Sequence, residues 1–141
     1  MAREIEELPF QMAGDVRWLT VTAASKRAET LAEAPATVAV LTHEDFERHG
    51  WRNVAEALRS VPGLHVSWGR DYYYTGVRGI SLPHDVDTRI LVFLDGHTMN
   101  NPWSGSSNAS ELFTLPPAAI ERVEVIRGPS SSMYGSNAFF A

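Results

Sequence analysis

The chain has 141 residues, enough for one domain with a modest core and short for two. Hydrophobic residues make up 44% and charged residues 21%, the balance of a globular domain rather than a disordered tail. Twelve basic against seventeen acidic side chains leave a net charge of −5, which, without a basic cluster, excludes nucleic acid as a partner. The absence of cysteine excludes disulfides and thiolate metal sites while leaving the redox compartment open.

The opening stretch MAREIEELPFQMAGDVRW has no long apolar core and no small-residue cleavage site, so no secretory signal is visible. No window nears the ~18 apolar residues of a membrane-spanning helix. Residues 1 to about 34 read as a mobile arm. It carries an acidic start (Glu4, Glu6, Glu7) and one β-prone island, Trp18 to Ala23. Pro35 marks entry to the folded part. Thr37–Thr42 is predicted as a strand, rich in β-branched residues. Thr42 then caps a short helix from His43 to about Arg48, with Glu44 and Asp45 at its positive end and Gly50 closing it. Asn53 caps a second helix, with Glu56 placed for a variant of the capping box. Val54, Ala57, Leu58 and Val61 form one apolar stripe at helical spacing, and Pro62-Gly63 ends it.

Leu64–Trp68 is the next predicted strand, and extended structure resumes from Tyr74 to Gly79 after a polar tip. Ser81 to Asp87 is a loop. Arg89–Leu94, a continuous apolar run, predicts a central strand covered on both faces. Asp95-Gly96 signals a hairpin into His97, Thr98 and Met99. Asn100 to Asn108 is a polar loop around Trp103, a helical turn is expected at Glu111–Phe113, and Ile120–Ile126 is the last strand. The order predicts a compact α/β domain without internal repeats.

The turn Gly128-Pro-Ser-Ser-Ser-Met-Tyr-Gly135 lacks the lysine and spacing of a phosphate loop and the Gly-x-Ser-x-Gly spacing of a nucleophile elbow. Its serines are read as satisfying turn backbone groups. A hydrolase built on Ser130, Ser131 and Ser132 is the reading from the enzyme class. Five histidines show no metal-binding spacing; His84-Asp-Val-Asp87 is the densest ligand cluster, and loop clusters of this kind are ordinarily solvated. Tyr72, Tyr73 and Tyr74 with Trp68 and Trp103 lie in or beside loops, either as edge packing or as a binding surface. Arg78 and Arg127 each precede a glycine after an apolar run, an arrangement that suits a guanidinium held for a carboxylate partner.

Six segments occur in one order: LTVTA (19–23), APATVAVLTHEDF (34–46), AEALRSVPGLHV (55–66), GVRGI (76–80), RILVFLDGHTMN (89–100) and IERVEVIRGPSSSMYGSNA (120–138). Together they resemble the plug, or cork, domain of TonB-dependent outer-membrane receptors of Gram-negative cells. The resemblance implies an α+β plug: a small mixed sheet of four to six strands, short flanking helices and long apical loops, spanning 35–141 behind an arm of residues 1–34. It implies that the plug fills a β-barrel lumen and helps bind a ferric siderophore, cobalamin or haem. It also implies that the C-terminal domain of TonB captures an N-terminal segment to open the path. No enzymatic activity and no cofactor are expected.

Carried over by position, Leu19, Thr20, Val21, Thr22 and Ala23 look like the TonB box, and a short strand added to a sheet edge suits such capture. Arg78 and Arg127 match the arginines that pair with barrel carboxylates, where breaking one member leaves a charge unpaired. Arg70, Asp71, Tyr72, Tyr73, His84, Asp85, Asn100, Asn101 and Trp103 look like upward-facing ligand contacts. A barrel needs many strands of ~9–11 residues, which this chain does not contain. An excised plug or truncated reading frame is therefore the expectation: outer membrane as part of a receptor, soluble as an isolated chain. A free-standing periplasmic module that binds metal chelates is the alternative.

Overall fold

The computed structural model describes residues 20–21, 29–30, 37–70, 73–80, 85–107, 115–128, 134–135, 137–138 and 141. Eight strands occur among them: β1 Thr20–Val21, β2 Glu29–Thr30, β3 Thr37–Thr42, β4 Leu64–Trp68, β5 Tyr73–Val77, β6 Phe93–Leu94, β7 His97–Thr98 and β8 Arg122–Arg127. Two helices, α1 His43–His49 and α2 Val54–Leu58, lie between β3 and β4, and a 3-10 turn spans Pro117–Ala119. The mixed α/β class holds. Its strands pair two by two, all antiparallel among the described residues, so the expected single sheet is distributed over four ladders.

The organising ladder is β3 with β8, in register from Thr37 opposite Arg127 to Thr42 opposite Arg122. Strand β3 runs straight into α1 because Thr42 does two tasks. Its Oγ1 accepts from the Asp45 amide at 3.4 Å, while Asp45 Oδ2 accepts from the Thr42 amide at 2.9 Å. This reciprocal box satisfies two orphan donors of the first turn. Gly50, with φ 66, closes the helix. Asn53 Oδ1 accepts from the Glu56 amide at 2.9 Å and starts α2. Arg52 donates to Glu56 from its backbone and its guanidinium, at 2.8, 3.0 and 2.6 Å. Those hydrogen bonds, the side-chain ones foremost, hold the Glu56 carboxyl below the ordinary glutamate range.

All four stripe residues of α2 and its exit, Val54, Ala57, Leu58 and Val61, are buried. They pack with Leu41, Phe46, Ala55, Val66, Ile120 and Val125 into one core between the helices, the β3–β8 ladder and β4. Each large aliphatic or aromatic member contributes about 1.5–3 kcal/mol of burial.

The run Arg89–Leu94 does not form a covered central strand. Only Phe93–Leu94 pairs, in a hairpin with His97–Thr98 across Asp95-Gly96, and Phe93 is 42% exposed. The reason lies in where the backbone groups go. Asn100 Oδ1 accepts from the Val92 amide at 2.8 Å, and Asn100 Nδ2 donates to the Ile90 carbonyl at 2.9 Å. The Leu91 amide meets the Ala141 carbonyl at 3.1 Å. A side chain and a distant carbonyl thus take places that a neighbouring strand would fill. The helical turn expected at 111–113 lies outside the described residues.

Candidate functional site

The loop after β7 is built from its root upward. Asn100 is buried, and its side chain holds Val92, Ile90 and, through a second Nδ2 bond of 2.9 Å, the Gly105 carbonyl on the loop's far side. Asn137 Nδ2 donates to that same carbonyl at 2.8 Å. Above the root, the Asn101 amide donates to the Ser106 carbonyl and the Gly105 amide to the Asn101 carbonyl, both at 2.8 Å. Asn101 Oδ1 accepts from the amides of Trp103 and Ser104 at 2.8 and 3.1 Å, folding the tip over an Asn side chain. The product is a self-bonded loop that leaves Trp103 98% exposed.

A second tip joins β4 to β5. Trp68, opposite Tyr73 in the ladder, packs on it at a tilt of 51° with ring centroids 4.5 Å apart and remains 54% exposed. The Arg59 guanidinium lies 5.7 Å from the Tyr73 centroid on the other element that borders this surface. Arg70 sits in the tip with φ 76 and is exposed. Sequence reasoning passed over Arg59, which carries no local signal because α2 ends beside it.

The two arginine–glycine pairs converge on one turn. The Arg78 amide donates to the Gly63 carbonyl at 2.8 Å, and Arg127 Nη1 donates to the Pro62 carbonyl. Arg78 and Gly79, with φ of 54 and 78, form a tight turn that brings Val77 and Ile80 into mutual hydrogen bonds of 3.0 and 3.1 Å. The Arg78 residue is exposed, and Arg127 is half-buried. Arg127 Nε is buried without a hydrogen-bond partner among the described residues. Gly63 has φ +84, and a Cβ there would stand 3.2 Å from Arg127 Nη1. A side chain at residue 63 would therefore strain the left-handed backbone and press the guanidinium to shift by a few tenths of an ångström.

Asp85 and Asp87, read from the sequence as part of a ligand-type cluster, serve the backbone. Asp85 Oδ1 accepts from the Thr88 amide and hydroxyl, at 3.0 and 2.7 Å, and Asp87 Oδ1 accepts from the Thr75 amide at 2.7 Å. Among the described residues no group of three His, Cys, Asp or Glu is placed to hold a metal ion. Asp71, Tyr72, His84 and Ser130–Ser132 lie outside the described residues. So do Leu19, Thr22 and Ala23 of the N-terminal island, whose Thr20 and Val21 pair with Thr30 and Glu29.

Most of the chain is matched by a family profile. The profile described as TonB-dependent receptor plug domain covers residues 30–141. The chain belongs to the TonB-dependent receptor plug domain family. The iron-regulated outer membrane virulence protein of Vibrio cholerae serotype O1 is 37% identical over 124 residues, in a classical Ogawa and an El Tor Inaba strain alike. Each match covers 85% of this chain and 18% of the relative, so the chain spans about a fifth of the length of these curated relatives. No helix among the described residues is long and apolar enough to cross a membrane.

Proposed function

We propose that this plug domain occludes the lumen of an outer-membrane receptor barrel, lends its loop tips to recognition of an iron chelate, and passes TonB engagement to that gate. The chain itself is non-enzymatic in this reading. One observation carries the recognition role: Trp103 stands 98% exposed on a loop whose own polar groups fix its shape. A large aromatic held in place offers a partner much contact area at low entropic cost. The relatives are named as iron-regulated, which fits an iron chelate, a ferric siderophore or haem, as the ligand, with cobalamin as the remaining candidate. Arg78 and Arg127, gathered at Pro62-Gly63, are assigned to carboxylates of the barrel wall.

The test is quenching of tryptophan emission during titration with ferric catecholate and hydroxamate siderophores, haem and cobalamin. At least one should quench saturably, and Trp103→Phe should remove most of the saturable part. Linear, collisional quenching by every compound would refute the recognition role.

A further inference from the structure

Asp87 is 3% exposed and lies in the left-handed region at φ 55, a conformation that residues other than glycine, asparagine and aspartate adopt at a cost. Its two ends reach two different tips. The side chain takes the Thr75 amide on β5 at 2.7 Å, two residues along from Tyr73, the ring against which Trp68 packs. The main-chain carbonyl accepts from Ser107 Oγ at 3.1 Å, and Ser107, fully buried, follows directly on the closing residue of the Trp103 loop. The same carbonyl takes the Ile90 amide at 3.2 Å, which ties the junction to the segment gripped by Asn100.

We infer that Asp87 is a positioning residue that sets the two exposed tryptophans, Trp68 and Trp103, in register with one another, so that the two tips present a single recognition surface. Asp87 is a fixed reference common to both tips, bonded to Thr75 on one side and to Ser107 on the other. A buried hydrogen bond to a carboxylate is costly to lose, because the Thr75 amide is then left without its acceptor. The left-handed backbone at residue 87 aims the carbonyl at Ser107 while the side chain faces β5. A carboxylate serving only core stability would act on the domain as a whole. A positioning carboxylate acts on the two tips alone.

The inference rests on reading Trp68 and Trp103 as faces of one recognition surface. Its test uses no chelate, so its failure is distinct from failure of the quenching titration. The chain is labelled with 5-fluorotryptophan, and 19F resonances of Trp51, Trp68 and Trp103 are compared across three variants. Asp87→Asn keeps an acceptor oxygen and tolerates the left-handed backbone, and should leave all three resonances in place. Asp87→Gly keeps the backbone but removes the acceptor, and should shift or broaden Trp68 and Trp103 together while Trp51, packed against Phe46 and His49, stays put. Asp87→Ala loses both features and should exceed Asp87→Gly at the same two positions. The inference is overturned if Asp87→Gly leaves either tip tryptophan unmoved, if Trp51 moves with them, or if Asp87→Asn perturbs the tips as much as Asp87→Gly.

Discussion

At Gly63 backbone conformation and side-chain seating meet in one atom's worth of space. The left-handed φ of +84 would strain any residue bearing a Cβ, by about 1–2 kcal/mol. The additional 3.2 Å approach to Arg127 Nη1 forces the guanidinium to yield. Gly50 provides the comparison, since it shares the left-handed backbone at φ +66 but has open space around it. Gly63→Ala should therefore lower the urea midpoint more than Gly50→Ala, and replacing Arg127 by Ala in the same chain should close most of the difference. Equal losses in the two glycine variants would show that Arg127 is not seated by this turn. The sequence supplies the Pro-Gly signal that ends α2. It gives no sign that Arg127, sixty-odd positions away, takes the Pro62 carbonyl. Pairings of that sequence separation depend on the closed β3–β8 ladder, which no local pattern encodes.

Among the elements, local chemistry decided most of what forms. Both helices start at side-chain caps visible in the sequence, and the buried set Val54, Ala57, Leu58 and Val61 follows from helical spacing alone. The Asp95-Gly96 hairpin is likewise local. The apolar run 89–94 misled because its hydrogen-bonding partner is the Asn100 side chain, and a side chain standing in for a strand leaves no periodicity to read. The tip residues divide in the same way: Trp103 and Tyr73 stand out as aromatics near loops, whereas Asp87 and Arg59 gain meaning only from what they meet in space.

The start of α2 also carries a pH signature. Because the Glu56 pKa is lowered in the folded chain by hydrogen bonds from Arg52, its contribution is present above the unfolded-state value and is lost as pH falls through the folded value. Thermal melts should therefore show a destabilisation on acidification that is shallower in Glu56→Gln, with the two proteins converging at low pH. Parallel melting curves across the acid range would contradict that assignment. The pair is largely exposed on the Arg52 side, so the effect should also shrink in high salt.

At the scale of the whole molecule, one core carries the loop tips and the arginine turn. The tips carrying Trp68 and Trp103 expose aromatics. The Pro62-Gly63 turn takes the Arg127 guanidinium and the Arg78 backbone amide, and the N-terminal island offers a minimal strand, Thr20–Val21, paired on one side by Glu29–Thr30. Among the described residues no other strand occupies β1's second edge, which suits strand addition by a partner. The order of the six segments made the family legible, because it is a property of the whole chain rather than of any one motif.

Isothermal titration of the chain with the C-terminal domain of TonB tests the central claim most directly. The account predicts saturable binding that Val21→Pro weakens by at least about tenfold, equivalent to ~1.4 kcal/mol, because proline removes a ladder donor from the captured strand. Absence of binding, or an affinity unchanged by Val21→Pro, would contradict it.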